Sequence, residues 1–158
     1  MNDSDIKISN SFGNFKYRVN GILIHNNKIL VVKMAKNSFY CLPGGHVKMG
    51  ENSEDALIRE MKEETGYEVH INDLITITEN FFKRKDESKF HELGFYYSVD
   101  LNSNEIINEN MKQIEDEDVN LEFKWVNLSE FKEIEFRPIE LKEKIIKEDK
   151  VFKHIIIK

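Results

Sequence analysis

GGHVKMGENSEDALIREMKEETGY, residues 44–67, is the stretch that decides the fold: a glycine-rich turn leads into a helix with carboxylates along one edge. Asn52 is a favourable N-cap residue, and acidic residues follow it where the helix dipole stabilises negative charge. Gly66 can adopt the left-handed conformation that ends many helices. The sequence therefore predicts a helix that begins near Asn52 and ends at Gly66.

The carboxylates of Glu60, Glu63 and Glu64 lie within about 100° of one another around the predicted helix. They border an apolar stripe that is expected to face the core, Leu57, Ile58 and Met61. Like charges at this spacing destabilise a helix, so a cation is expected among them. Arg59 precedes Glu63 by four residues and can hold that carboxylate, but one guanidinium cannot neutralise three. A divalent cation is the natural further partner, because Mg²⁺ and Mn²⁺ prefer hard oxygen ligands.

The fixed residues of this stretch occur with the spacing G-x5-E-x7-R-E-U-x-E-E-x-G-U, in which U is apolar. They are Gly45, Glu51, Arg59-Glu60-Met61, Glu63-Glu64 and Gly66-Tyr67. The spacing is that of the Nudix box, and the chain resembles the Nudix hydrolase family. Tyr67 is aromatic where the family usually has an aliphatic residue, which affects packing more than chemistry. The alternative interpretation of the same carboxylates is a solvated helix face.

The resemblance implies an α/β fold, the Nudix α/β/α sandwich with a mixed β-sheet. The length of 158 residues predicts one domain, which the resemblance makes a single Nudix hydrolase domain over residues 1–158, and the polar residues 1–14 are expected to be a tail or edge segment. The order of strands, central helix, strands and late helix agrees with that architecture but does not by itself identify the family. The implied function is Mg²⁺-dependent hydrolysis of a nucleoside diphosphate linked to another moiety, with water attacking a diphosphate phosphorus.

The resemblance also assigns roles within the box. Glu60, Glu63, Glu64 and the main-chain carbonyl of Gly45 are expected to hold Mg²⁺, or Mn²⁺, while Arg59 orients the carboxylates. Glu51 is expected to support the loop and the helix start. The partner is then a nucleotide-derived small molecule, and the box leaves its identity open.

Three further side chains are candidates outside the box. By their position in similar proteins, Lys33 and Arg18 are the candidate cations for substrate phosphate; the equally weighted alternative is that each is an exposed strand residue. Glu64 or Glu60 is the expected general base. Glu117 is the alternative base, in the polar segment Asn102 to Asn120, which is expected to be a long loop; loops of this length are usually mobile or functional, and runs of acidic residues in a loop are more often solvated.

Two other functions share this fold by resemblance. One is a non-catalytic Nudix-fold module that binds or senses a nucleotide, although such modules tend to lose box carboxylates. The other is an isomerase similar to the one that acts on isopentenyl diphosphate, which uses a cysteine and a glutamate. Cys41 precedes the glycine turn, so composition alone does not dismiss the isomerase.

Composition limits which partners and which cellular compartment are expected. A net charge of -6 and a pI near 5.5 argue against general nucleic-acid binding. Cys41 is the lone cysteine, so no intrachain disulfide can form and a reducing compartment is expected. No stretch approaches a membrane span or a signal segment, which predicts a cytoplasmic protein and no membrane partner. Assembly as a homodimer stays open.

Outside the box, hydrophobic patterning predicts mainly strands. Tyr17 to Ile24 and Lys28 to Lys33 are expected to form a hairpin, and Phe39 to Leu42 a short strand ended by Pro43. Tyr67 to Lys85 and Phe90 to Leu101 follow as strands. Later elements are a strand over Leu121 to Val126, short helices near Ser129 and from Ile139 to Lys147, and a closing strand over Val151 to Lys158.

Overall fold

The computed structural model describes residues 4–103, 107, 110–116 and 119–158. Its strands are β1 (Lys7–Asn10), β2 (Gly13–His25), β3 (Lys28–Met34), β4 (Gly44–His46), β5 (Val69–Lys83), β6 (Lys89–Leu101), β7 (Asn110–Asp116), β8 (Val119–Asn127) and β9 (Lys153–Ile157). Its helices are α1 (Ser53–Thr65), α2 (Leu128–Phe131) and α3 (Ile139–Ile146). No helix in the described part of the chain is long and apolar enough to cross a membrane.

Helix α1 begins and ends where the sequence predicts. The Asn52 side chain accepts a hydrogen bond from the backbone N–H of Asp55 at 2.9 Å, which satisfies one of the first unpaired donors of the helix. Gly66 has a φ of 77°, in the left-handed region, and its N–H donates to the Lys62 carbonyl. Local chemistry at both ends therefore fixes the length of α1.

One mixed sheet carries the fold, with the strand order β7-β8-β3-β2-β6-β5-β9, while β1 and β4 also pair with β2. The β2–β6 and β5–β9 pairs are parallel, and the other pairs are antiparallel. Strand β2 lies at the centre because it pairs with β1, β3, β4 and β6 along its 13 residues. The glycine turn that precedes α1 is thereby fixed against the middle of the sheet.

The two faces of the sheet are covered by different helices. Helix α1 packs on one face through Ala56, Leu57 and Met61, which are fully buried with Val19 and Leu23 of β2. On the other face, α2 and α3 bury Phe131, Leu141 and Ile145 against Ile22, Ile29 and Val31. This arrangement is the predicted α/β/α sandwich with a mixed sheet.

Three local predictions were wrong. Phe39 to Leu42 forms isolated bridges instead of a strand, because Tyr40 bonds to Glu135 on one side while Cys41 bonds to Val32 on the other. The segment Asn102 to Asn120 is not wholly a loop, since its polar residues include the outermost strand β7, paired with β8. Ile58 does not belong to the buried stripe of α1 and is 39% exposed.

Replacing Leu57 by alanine should lower the free energy of unfolding by about 2–5 kcal/mol, because the side chain is fully buried and leaves a cavity. Ile58→Ala is the matched control on the same helix and should cost less than about 1 kcal/mol. Urea unfolding followed by circular dichroism measures both. Equal losses in the two variants would contradict the packing of α1 described here.

Candidate active site

Arg59 connects the glycine turn to the carboxylates of α1. Its Nε and Nη2 donate to the two carboxylate oxygens of Glu51, both at 2.8 Å, in a two-point contact. Its Nη1 donates to Glu60 at 2.6 Å and to Glu63 at 3.2 Å, and Nη2 also donates to the His46 carbonyl at 3.1 Å. The predicted contact with Glu63 is present, but it is the longest of the carboxylate contacts.

Glu51 supports the turn from the other side. Its carboxylate accepts the backbone N–H of Lys48 at 3.0 Å in addition to the Arg59 guanidinium. The hydrogen bonds from Arg59 lower the pKa of Glu51 below its usual value, with the Lys48 N–H contributing in the same direction. Glu51 is therefore a structural anion that ties the loop to α1, in agreement with its expected role.

Glu60 lies directly against the backbone of Gly45. A Cβ at position 45 would come within 2.1 Å of the Glu60 carboxyl carbon, so only glycine permits this approach. The Glu60 side chain is 12% exposed, and burial raises its pKa although Arg59 acts in the opposite direction. Burial of a carboxylate at a glycine backbone is an arrangement suited to a cation.

Gly44 lies between the carboxylates of α1 and the cations of β2. Its N–H approaches the Glu64 carboxylate at 3.4 Å, and its carbonyl accepts a hydrogen bond from Arg18 Nη2 at 3.2 Å. A Cβ at position 44 would lie 2.0 Å from the Val19 carbonyl, and the φ of 153° also disfavours other residues. Glu64 and Arg18 thus contact the two adjacent peptide groups that meet at Gly44.

Arg18 lies near other polar residues of the sheet for which the sequence predicted no role, His46, Lys16 and Glu92. Arg18 faces His46 in the β2–β4 pairing, and Lys16 faces Glu92 in the β2–β6 pairing. Residues two apart on a strand share a face, so the spacing of Lys16 and Arg18 was the available signal. Burial and the neighbouring Arg18 lower the pKa of His46 to about 4, which keeps its ring neutral near pH 7.

Three other residues considered in the sequence, Lys33, Glu117 and His91, have no described contact with the glycine turn or the α1 carboxylates. Lys33 forms an ion pair with Glu122 at 3.6 Å and lies over the Tyr40 ring at 5.4 Å. Glu117 lies outside the described residues. His91 stacks on Phe81 with ring centroids 4.3 Å apart, on the opposite face from Glu92, as alternation along the strand predicts.

The donor set fits a hard divalent cation. Three carboxylates project from consecutive turns of one helix, Glu60 lies against a glycine backbone, and one guanidinium is shared among Glu51, Glu60 and Glu63. Within the described ranges, no three carboxylate, imidazole or thiol groups already enclose a metal-sized space. Glu60 and Glu63 are instead oriented toward the same Nη1 of Arg59.

Comparison with known proteins defines the class. The model of the NUDIX domain matches residues 15–147, which is most of the chain. The chain therefore belongs to the NUDIX domain family. A NUDIX hydrolase from Nitrosomonas europaea has a similar fold, with a TM-score of 0.62 and 22% sequence identity over 90% of this chain and 78% of that one.

Two curated relatives match over shorter stretches. An ADP-ribose pyrophosphatase of Methanocaldococcus jannaschii is 44% identical over 62 residues, 37% of each chain. A putative 8-oxo-dGTP diphosphatase of Bacillus subtilis is 46% identical over 46 residues, 29% of this chain and 31% of the relative. The matches thus span only about a third of the length of these two relatives.

Arg59→Lys should lower the free energy of unfolding by about 1–3 kcal/mol, because lysine cannot make the two-point contact with Glu51 and leaves a partly buried carboxylate underpaired. Lys62→Gln, which breaks the exposed pair with Glu68, is the control and should cost less than about 1 kcal/mol. Urea denaturation of both variants measures the difference. A loss for Arg59→Lys no larger than the control's would show that the contact contributes little.

Proposed function

We propose that the chain is a Nudix pyrophosphohydrolase that requires Mg²⁺, or Mn²⁺, and hydrolyses a nucleoside diphosphate linked to another moiety. The observation that carries the proposal is the row of α1 carboxylates at the glycine turn: Arg59 holds Glu60, which lies against Gly45, and Glu64 lies at the Gly44 N–H. Membership of the NUDIX domain family and pyrophosphatase relatives support it.

The donors proposed to hold the metal are Glu60, Glu63, Glu64 and the Gly45 carbonyl. A divalent ion bound there supplies charge neutralisation for a diphosphate and lowers the pKa of a coordinated water. Arg59 keeps the carboxylates in place through Glu51 and the His46 carbonyl. Arg59 is therefore proposed to act on turnover through the carboxylates and not by contact with substrate.

The proposed general base is Glu64. Its carboxylate lies at the Gly44 N–H, and Arg18 contacts the carbonyl of the same glycine, so a diphosphate bound by both the carboxylate-held metal and Arg18 would lie beside Glu64. Glu60 is the second candidate, but its short contact with Arg59 restrains it. Glu117 remains the alternative outside the box.

Arg18 and Lys33 are the proposed phosphate cations, and their surroundings differ. Arg18 contacts the Gly44 carbonyl and so lies one peptide away from Glu64, within the proposed site. Lys33 forms an ion pair with Glu122, and the negative charge of Glu122 weakens the attraction of Lys33 for an anion. Arg18 is accordingly the stronger candidate.

The two alternative functions receive less support. A sensing module would not need the complete set of box carboxylates that this chain retains. For an isomerase, Cys41 would have to act as an acid or base, but its Sγ donates to the Val32 carbonyl, and burial raises the pKa of the thiol.

The direct test is phosphate or pyrophosphate release from a panel of nucleotides, assayed with Mg²⁺ and with a chelator. Hydrolysis of at least one nucleoside diphosphate derivative or nucleoside triphosphate that stops on chelation is the expected result. Tight nucleotide binding without turnover would indicate the sensing module.

Metal binding should depend on the helix carboxylates. Glu63→Gln and Glu64→Gln are each expected to weaken Mn²⁺ binding at least about tenfold, since each removes a charged oxygen donor. Glu54→Gln, in the exposed first turn of the same helix, is the matched control and should bind normally. Isothermal titration measures all three, and unchanged affinity in both test variants would remove the metal assignment.

The base assignment separates Glu64 from Glu117. Glu64→Gln should lower kcat by roughly two or more orders of magnitude, whereas Glu117→Gln should keep at least about a tenth of it. Turnover is measured across pH at saturating substrate and metal. A collapse in Glu117→Gln as deep as that in Glu64→Gln, with Mn²⁺ binding intact, would transfer the role to the loop.

A further inference from the structure

Beyond the carboxylate row, three cations lie close together on the neighbouring part of the sheet. Lys16 and Arg18 share one face of β2, and Arg84 follows β5. Lys16 Nζ lies 4.9 Å from the centroid of the Phe90 ring, and the Arg84 guanidinium carbon lies 4.4 Å from the same centroid. The buried Phe90 ring therefore contacts two of the three cations.

These cations have no close ion-pair partner in the part of the chain that the structure describes, although the charge of Glu92 acts on both Lys16 and Arg18 and that of Glu64 acts on Arg18. Lys7, which is opposite Lys16 in the β1–β2 pairing, already pairs with Asp5 at 3.1 Å. Among the residues that the structure describes, neither Lys16, Arg18 nor Arg84 forms an ion pair within 4 Å. Glu92 is the carboxylate opposite Lys16. The result is local positive charge in a chain whose net charge is -6.

Buried polar groups in this cluster also lack partners. In the described part of the chain, Arg18 Nε and His46 Nε2 are buried nitrogens without a hydrogen-bond partner. Such atoms are uncommon in folded proteins because each leaves a desolvation cost uncompensated. Burial and the adjacent Arg18 and Arg84 also lower the pKa of Lys16 to about 8. A bound anion would reduce the repulsion among Lys16, Arg18 and Arg84 and could accept a hydrogen bond from Arg18 Nε.

We propose that Lys16 and Arg84 extend the site beyond Arg18 as a phosphate subsite that binds a substrate phosphate beyond the hydrolysed diphosphate, with Arg18 between this subsite and the α1 carboxylates. The inference rests on the proposed function for the position of the diphosphate, and it narrows the substrate class. Residues two apart on a strand lie roughly 7 Å from each other, so the subsite extends away from Gly44 along β2. A nucleoside triphosphate, or a diphosphate joined to a phosphorylated group, fits it better than a diphosphate that ends in a neutral sugar.

The subsite can be tested without hydrolysis. Inorganic phosphate is titrated into ¹⁵N-labelled protein in excess chelator, and the Arg18 Nε–H resonance is followed by NMR. The wild-type chain and Glu64→Gln should both show a saturable shift. Lys16→Gln should bind phosphate about tenfold more weakly, the loss expected for one charged contact, and Lys16→Arg should restore binding. Lys124→Gln, an exposed lysine on β8, is the charge-matched control and should bind as wild type does.

Kinetics then tests the substrate class. Lys16→Gln should raise KM for a nucleoside triphosphate about tenfold, leave kcat nearly unchanged and alter KM for ADP-ribose less than about twofold. Equal KM increases for both substrates, or a phosphate shift that persists in Lys16→Gln, would overturn the subsite. If the wild-type chain hydrolyses no nucleotide but still shows a phosphate shift that depends on Lys16, the proposed function is refuted and the subsite stands.

Discussion

The two-point contact between Arg59 and Glu51 is the interaction on which the site depends. Glu51 is fixed to the turn by the Lys48 N–H, and Arg59 reaches from the middle of α1 to bind it, so the helix and the turn are positioned together. The remaining donors of the guanidinium then orient Glu60 and Glu63. The contact thus adds a direct tie between the helix and the turn to the packing of α1 on β2 and the pairing of β4 with β2.

The second constraint on the site is the close packing that Gly44 and Gly45 allow at the turn. Gly45 admits the Glu60 carboxyl group, and Gly44 admits the Val19 carbonyl of the central strand. Because neither glycine carries a Cβ, Gly44 packs against the sheet and Gly45 packs against α1. The carboxylates of α1 and the cations of β2 meet at this turn because β4 pairs with β2.

The sequence predicted what depends on local chemistry. Helix α1 follows from the cap at Asn52 and the glycine at 66, and its carboxylate edge follows from helical spacing. The same spacing identified the Arg59 contact with Glu63, but not the shorter one with Glu51, eight residues away across the turn. A loop must fold back before that contact exists, and local periodicity does not contain this information.

The wrong or missed assignments likewise depend on tertiary pairing. The polar residues of β7 are tolerated in a strand because it lies at the sheet edge, and Phe39 to Leu42 divides its hydrogen bonds between two partners. The proximity of Lys16, Arg18 and Arg84 needs the register of β2, β5 and β6. These features emerge only after distant segments have paired.

The most direct measurement is a crystal structure of the protein soaked with Mn²⁺, in which anomalous scattering locates the ion. The account predicts a peak roughly 2.1 Å from carboxylate oxygens of at least two of Glu60, Glu63 and Glu64, with Arg59 still bound to Glu51. A peak elsewhere, or none at saturating Mn²⁺ in a chain that hydrolyses nucleotides only when the ion is present, would contradict it.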